Sequence, residues 1–324
     1  MATAPPAGFR RLALATVAAT FALIVLGGIV RVSGSGLGCG PAGSGFHGWP
    51  LCRGDVIPGL DLNAVIEYAH RALASAVGLA MIALALYAWR RLHAHRSIVR
   101  AAAAAAALVV AQGLLGAATV EGNLSPALVA AHLLLGMLLL ALVHYVWHAS
   151  RPGVAGAEPP APARRIRRVA YAAATAVLAT IVAGGYMAGT ERYGRTDYVA
   201  GGGAHHACGT DFPACNGGFL PFGQSRLADI HLTHRVFVYV AVVLVVWTAV
   251  MTLRRRPSRA AARLATAALA LLAVQVLLGA LNVWIAEQYE ALILAHLAVG
   301  TLLWAATAGL CFHLAGVPAP TPAR

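Results

Sequence analysis

Ile66-Glu67-Tyr68-Ala69-His70-Arg71 is the stretch that decides how this chain is read. It stands at the start of a long apolar run. It puts a carboxylate, an imidazole and a guanidinium into the mouth of what reads as a membrane helix. Glu67 and His70 are three residues apart, so on a helix they share one face. Polar groups at that depth are expensive and are functional by default. The device returns 164 residues later as His231-Leu232-Thr233-His234-Arg235, with a histidine in place of the glutamate.

The composition around these stretches is that of a polytopic membrane protein. Of 324 residues, 60% are hydrophobic and 11% charged; a soluble domain is nearer a quarter charged. Mean hydropathy is +0.73. Repeated apolar runs of about 20 residues exclude a large soluble helical enzyme. All 24 basic residues are arginine, and the net charge is +13. Such an excess can signal nucleic acid. Here the arginines cluster in short segments between apolar runs, which is the positive-inside pattern and implies no nucleic-acid partner.

The runs predict eight spans. The first covers roughly residues 12–32, too long for a cleaved signal peptide. A Gly-rich polar loop with Cys39, His47, Trp49 and Cys52 follows. The second span covers about 65–89, and a connector carries Arg90, Arg91, Arg96 and Arg100. The third ends near Thr119, and the fourth covers about 127–148. Residues 151–168 form an Arg-, Pro- and Ala-rich linker between an N-terminal half, 1–150, and a C-terminal half, 169–324. The fifth span ends near Met187. A second long loop, about 189–229, holds His205, His206, Cys208 and Cys215. The sixth span ends near Leu253, the seventh near Trp284 and the eighth near Leu314. The termini and basic connectors hold 17 of the 24 arginines, and ten of the eleven acidic residues lie on the opposite side. Both termini are therefore expected in the cytoplasm, with both long loops outside a cell membrane.

The halves repeat each other. Gly27-Gly28 matches Gly184-Gly185, Trp49-Pro50-Leu51-Cys52 matches Phe212-Pro213-Ala214-Cys215, and Gln112-x-Leu114-Leu115-Gly116 matches Gln275-x-Leu277-Leu278-Gly279. Ala131-His132-Leu133 matches Ala295-His296-Leu297. His70 to His132 is 62 residues, and so is His234 to His296. With an even number of spans per half, the copies share one orientation about an axis along the membrane normal. The expectation is two tandem four-helix bundles. Each bundle carries two histidines at one depth, roughly one and a half turns inside the outer end.

Facing imidazoles in a bundle core can clamp a haem iron from both sides. Arg71 and Arg235 directly follow ligand candidates and can pair with haem propionates. A single intramembrane histidine is more readily a hydrogen-bonded core residue; four at repeated spacing are not. The outer cysteines suit one bridge per loop, Cys39–Cys52 and Cys208–Cys215. The alternative for the second loop is a metal site using His205, His206, Cys208 and Cys215. Cys311 reads as packing. Gln112 and Gln275 read as helix–helix hydrogen bonds. His47, His93, His95, His144, His148 and His313 receive no role.

From about Leu26 to Trp304 the chain resembles the haem A synthase family. The likeness rests on Gly27-Gly28-x-x-Arg31-x-x-Gly34-Ser35-Gly36-Leu37, the Trp49-to-Cys52 segment, Glu67-x-x-His70-Arg71, His132, the Cys208–Cys215 loop, His234-Arg235 and His296. The resemblance implies oxidation of a ring methyl of haem O to a formyl group, giving haem A for a terminal oxidase. It implies a resident haem b on His234 and His296 and substrate haem on His70 and His132, with Glu67 essential for turnover. A haem O synthase and an electron donor are the implied partners, and a homo-oligomer is allowed. The departure is in the first loop, where an insertion around Pro41 to Gly48 widens the cysteine spacing and adds His47.

Three rival readings compete. A quinone-linked, bis-histidine cytochrome b-type carrier suits the four histidines equally, but has no need of a carboxylate beside only one pair. A membrane thiol oxidase lacks a Cys-x-x-Cys pair and leaves the histidines unexplained. A haem transporter is the third.

Overall fold

The computed structural model describes residues 4–157, 163–191, 202–285 and 289–320. Glu158, parts of the linker and of the second loop, and most of the Ala286–Glu290 loop lie outside these residues. Eight helices are long and apolar enough to cross a membrane. They are α1 (Ala7–Val32), α2 (Leu62–Arg91), α3 (Arg96–Glu121), α4 (Pro126–Ser150), α5 (Ala163–Gly189), α6 (Arg226–Arg255), α7 (Arg259–Trp284) and α8 (Tyr289–Ala315). The protein is an all-α membrane protein.

Each helix matches an expected span but extends beyond its apolar core. Hydropathy marks only the stretch that tolerates lipid; the helix itself runs to its caps. Asp61 accepts the Ala64 N–H, Ser225 that of Ala228 and Ser258 that of Ala261, at 3.0–3.1 Å. These caps satisfy donors that the first turn leaves open. They start α2, α6 and α7 several residues early. His70 and His234 are thus each the ninth residue of their helix. The paired histidines lie about two turns inside, deeper than hydropathy alone suggests.

Packing follows the two halves. Helices α1 and α3 each pack on both α2 and α4, and α5 and α7 each pack on both α6 and α8. The halves meet where α4 touches α5 and where α8 touches α1 and α4. One buried core joins α1 to α4 around Val77, Met81, Leu139 and Val143. A second joins α5 to α8 and takes in Met137 and Leu140 of α4. Trp304 of α8 donates its indole N–H to the Met137 carbonyl at 2.9 Å across the seam. At the outer end, Arg31 of α1 donates to the Ala188 carbonyl at 2.9 Å and to the Glu191 carbonyl beyond α5.

Candidate functional site

The four repeated histidines stand on α2, α4, α6 and α8. His70 and His132 are within electrostatic reach of each other, as are His234 and His296. Each imidazole lies against a glycine of a neighbouring helix. A Cβ on Gly27 would stand 3.1 Å from His70 Cε1, on Gly116 3.2 Å from that of His132, on Gly184 3.1 Å from that of His234, and on Gly279 3.3 Å from that of His296. Only a missing side chain lets the rings pack this close to the adjacent backbone. The sequence repeat contains all four glycines, but their role becomes visible only in three dimensions.

The histidines differ in how they are held. His234 Nδ1 lies 3.1 Å from the Thr180 carbonyl. A carbonyl only accepts, so the proton sits on Nδ1 and Nε2 keeps its lone pair, the form that ligates a metal. The Nδ1 atoms of His70, His132 and His296 are buried without a hydrogen-bond partner. Gln112 donates to the His132 carbonyl at 2.9 Å. Its amide therefore fixes the backbone of a candidate ligand, a helix–helix bond of the kind expected.

Glu67 is 3% exposed. Its Oε2 accepts the Cys39 N–H at 2.8 Å, and its Oε1 pairs with Arg71. Arg71 also donates to the carbonyls of Gly48, at 2.6 Å, and Leu51, at 3.1 Å. Arg235 does the same in the second half, donating to the carbonyls of Asp211, at 2.9 Å, Pro213, at 3.3 Å, and Ala214. Both arginines thus fasten a loop over their own histidine pair, a use the sequence did not reveal. Each retains two of its five N–H donors outside these bonds.

The cysteines are bridged Cys39–Cys52 and Cys208–Cys215. The second bridge occupies the thiols that the alternative metal site in that loop required. Among the described residues no cluster of histidine, cysteine and acidic groups is arranged to hold a metal ion. The loops share a fold: Cys52 N–H bonds the Asp55 carbonyl and Cys215 N–H that of Gly218, and Trp49-Pro50 and Phe212-Pro213 are both cis. Cys311 is buried and free.

At the register of Glu67 the second half has His231, 4% exposed, with Nδ1 2.9 Å from the Ala204 carbonyl. His205 lies 3.6 Å from Glu191. It is within electrostatic reach of His231, His234 and His296, a placement its loop position in the sequence does not disclose. His47 lies exposed in the first loop.

Together these features define a multi-pass helical membrane protein with one histidine pair beneath each disulfide-closed loop. Residues 60–308 match the cytochrome oxidase assembly protein family COX15-CtaA. The chain belongs to that family. It is 34% identical over 234 residues to a protein named heme A synthase from Alkalihalophilus pseudofirmus, covering 70% of this chain and 72% of that one. A heme A synthase from Halalkalibacterium halodurans is 33% identical over 238 residues, 72% of each chain. One from Symbiobacterium thermophilum is 32% identical over 286 residues, 84% of each.

Proposed function

We propose that this protein is a haem A synthase, an oxidoreductase that converts a ring methyl of haem O to a formyl group. The observation that carries the reading is the repeated contact of four half-buried imidazoles, in two pairs within electrostatic reach, with four glycines. The residues fit haem on physical grounds. A buried imidazole nitrogen without a partner is expensive in an ordinary core histidine, which disfavours that role for His70 and His132. The tautomer of His234 is the ligating one.

The C-terminal half, residues 169–324, holds the resident haem b through His234 and His296. A resident haem supplies one-electron chemistry. The N-terminal half, residues 1–150, takes haem O as substrate between His70 and His132. Gln112 steadies the second of these ligands, and Gly27 and Gly116 set how close the rings lie to the helix backbones. The free N–H groups of Arg71 and Arg235 face the duty of pairing with propionates. Glu67 lies one turn before His70 on the same face. In our reading it holds and passes a proton as the methyl is oxidised. The Cys39 N–H and Arg71 fix its carboxylate in place. The termini and the 151–168 linker are cytoplasmic, in a cell membrane, by the arginine distribution. The product serves terminal oxidase assembly, a haem O synthase upstream supplies the substrate, and a homo-oligomer is compatible with the scheme.

The test is extraction of haems after co-expression with a source of haem O. Haem A should appear; haem O alone would refute the activity. In purified protein, His234→Ala or His296→Ala should remove most b-type absorbance, while His70→Ala and His132→Ala leave much of it. Equal loss from both halves would favour the electron-carrier reading.

A further inference from the structure

A cavity of about 510 Å³ opens between α5 and α6 at the outer end of the second half, lined by Ala183, Tyr186, Ser225, Arg226, Asp229 and Thr233 among others. On α6, Arg226, Asp229, Ile230 and Thr233 form one stripe at i, i+3, i+4 and i+7. The stripe reaches roughly 10 Å inward from the helix start. Ala183 and Thr233 adjoin Gly184 and His234 in the chain, so the groove runs along the two helix segments that hold the proposed resident site.

The repeat provides an internal control. Aligning His70 with His234 places Leu62, Val65, Ile66 and Ala69 at the positions of Arg226, Asp229, Ile230 and Thr233. Aligning Gly27 with Gly184 places Leu26 and Ile29 at those of Ala183 and Tyr186. The first half therefore has an apolar counterpart, with Leu62 71% and Val65 40% exposed, as a lipid-facing surface should be. In the first half the fold forms with apolar side chains at these four positions. The second half has acquired a cation, a carboxylate, a phenol and an alcohol in the same register. Arg226 and Asp229 lie in the first turn of α6, where the interface tolerates polar groups, while Thr233 lies a further turn in; that all of them line one cavity with Tyr186 is what points to a ligand.

We propose that this groove binds the ring head of a membrane quinone or hydroquinone. Tyr186 and Arg226 supply donors for its carbonyl oxygens, and Thr233 Oγ1, whose proton goes to the Asp229 carbonyl at 2.7 Å, can accept from a ring hydroxyl. Asp229 uses one carboxylate oxygen to accept the Gly223 N–H at 2.8 Å, which leaves the other for a ring hydroxyl. Arg226 and Asp229 together carry no net charge, which disfavours a simple anion such as an acidic headgroup. A pocket of this volume suits a ring plus the start of its tail. The assignment rests on the proposed function for its purpose, because oxidising a methyl to a formyl moves electrons and the bilayer is where a carrier can reach this face.

The test uses the full-length, haem-loaded protein in nanodiscs with a short-tailed azido-quinone as photoprobe. Label should map to peptides spanning 183–186 and 225–233. Arg226→Leu, and Thr233→Ala separately, install residues the first half already accommodates, and Asp229→Asn, made with Arg226→Leu, keeps an acceptor for the Gly223 N–H; the haem spectrum checks that each variant folds. The double variant should lower labelling about tenfold, as expected for losing two polar partners. Thr233→Ala should lower it several-fold. Label elsewhere, label unchanged in the double variant, or a phospholipid that resists displacement by the probe would each overturn the proposal. If labelling fails while haem A is made, the groove assignment falls and the proposed function stands. If labelling succeeds and no haem A forms, the reverse holds.

Discussion

Gly184→Ala is the sharpest perturbation of the proposed resident site. The new Cβ would stand 3.1 Å from His234 Cε1 and 3.3 Å from Nδ1, where ordinary contact begins at 3.4 Å. The ring must give by about 0.3 Å, or the hydrogen bond to Thr180 must lengthen. Overpacking of this kind costs about 1–3 kcal/mol, while alanine in a helix recovers about 1 kcal/mol over glycine. Net stability should therefore change by no more than about 2 kcal/mol, and the protein should still insert. The imidazole displacement is what the assay reads. Visible spectroscopy and redox titration of the purified protein should show an altered α-band or midpoint potential, or lowered haem b occupancy. Gly27→Ala places a Cβ 3.1 Å from His70 Cε1 and should leave that haem untouched while slowing haem O conversion. If Gly184→Ala leaves spectrum, potential and occupancy at wild-type values, the packing argument fails. If Gly27→Ala perturbs the resident haem instead, the two halves are assigned the wrong way round.

Glu67→Gln should insert and bind haem b, yet accumulate haem O or a partly oxidised product; haem A at a near-normal rate would dismiss the proton role. Non-reduced peptide mapping of membranes should recover Cys39–Cys52 and Cys208–Cys215, and free thiols or crossed pairs would contradict the loop structure. Cys208→Ser with Cys215→Ser should lower stability by about 2–4 kcal/mol, seen as a reduced melting temperature. Reporter fusions after Arg168 should read cytoplasmic and fusions near Gly202 external; the opposite pattern would reverse the orientation.

The eight helices were legible because lipid imposes a coarse rule, a run of apolar residues closed by arginines. The cysteine pairs were legible because the four cysteines lie in just two loops. Spacing alone placed His70, His132, His234 and His296 on four separate helices at like depth. The contacts that orient them were not legible. A glycine in a membrane helix reads as ordinary small-residue packing, so nothing in Gly27 or Gly279 announces an imidazole. Arg71 and Arg235 bind backbone carbonyls, and carbonyls carry no residue identity from which a partner can be inferred. His205 belongs to a loop in the sequence, and only the fold brings it near His234 and His296. Helix starts were misjudged where Asp61, Ser225 and Ser258 cap them, because capping is a hydrogen-bond effect that hydropathy does not measure.

The two halves have diverged in how each holds its histidines and its loop. In the second half His234 is held by the Thr180 carbonyl, and Arg235 is 4% exposed and bonded to three loop carbonyls. The loop is tied to α6 again through His231 and the Ala204 carbonyl. His70 and His132 of the first half have no such anchor on Nδ1, and neither has His296 of the second. The loop of the first half is held by the Arg71 bonds to the Gly48 and Leu51 carbonyls, by the Cys39 N–H on Glu67 and by the Gly43 and Gly45 N–H groups on Glu121, and Glu67 pairs with Arg71. The clearest divergence is at one register: Glu67 accepts the Cys39 N–H and pairs with Arg71, where the second half has His231 against the Ala204 carbonyl. At that register an ionisable carboxylate therefore stands beside one histidine pair and not the other, which is why Glu67→Gln is the variant that separates the proposed roles of the halves.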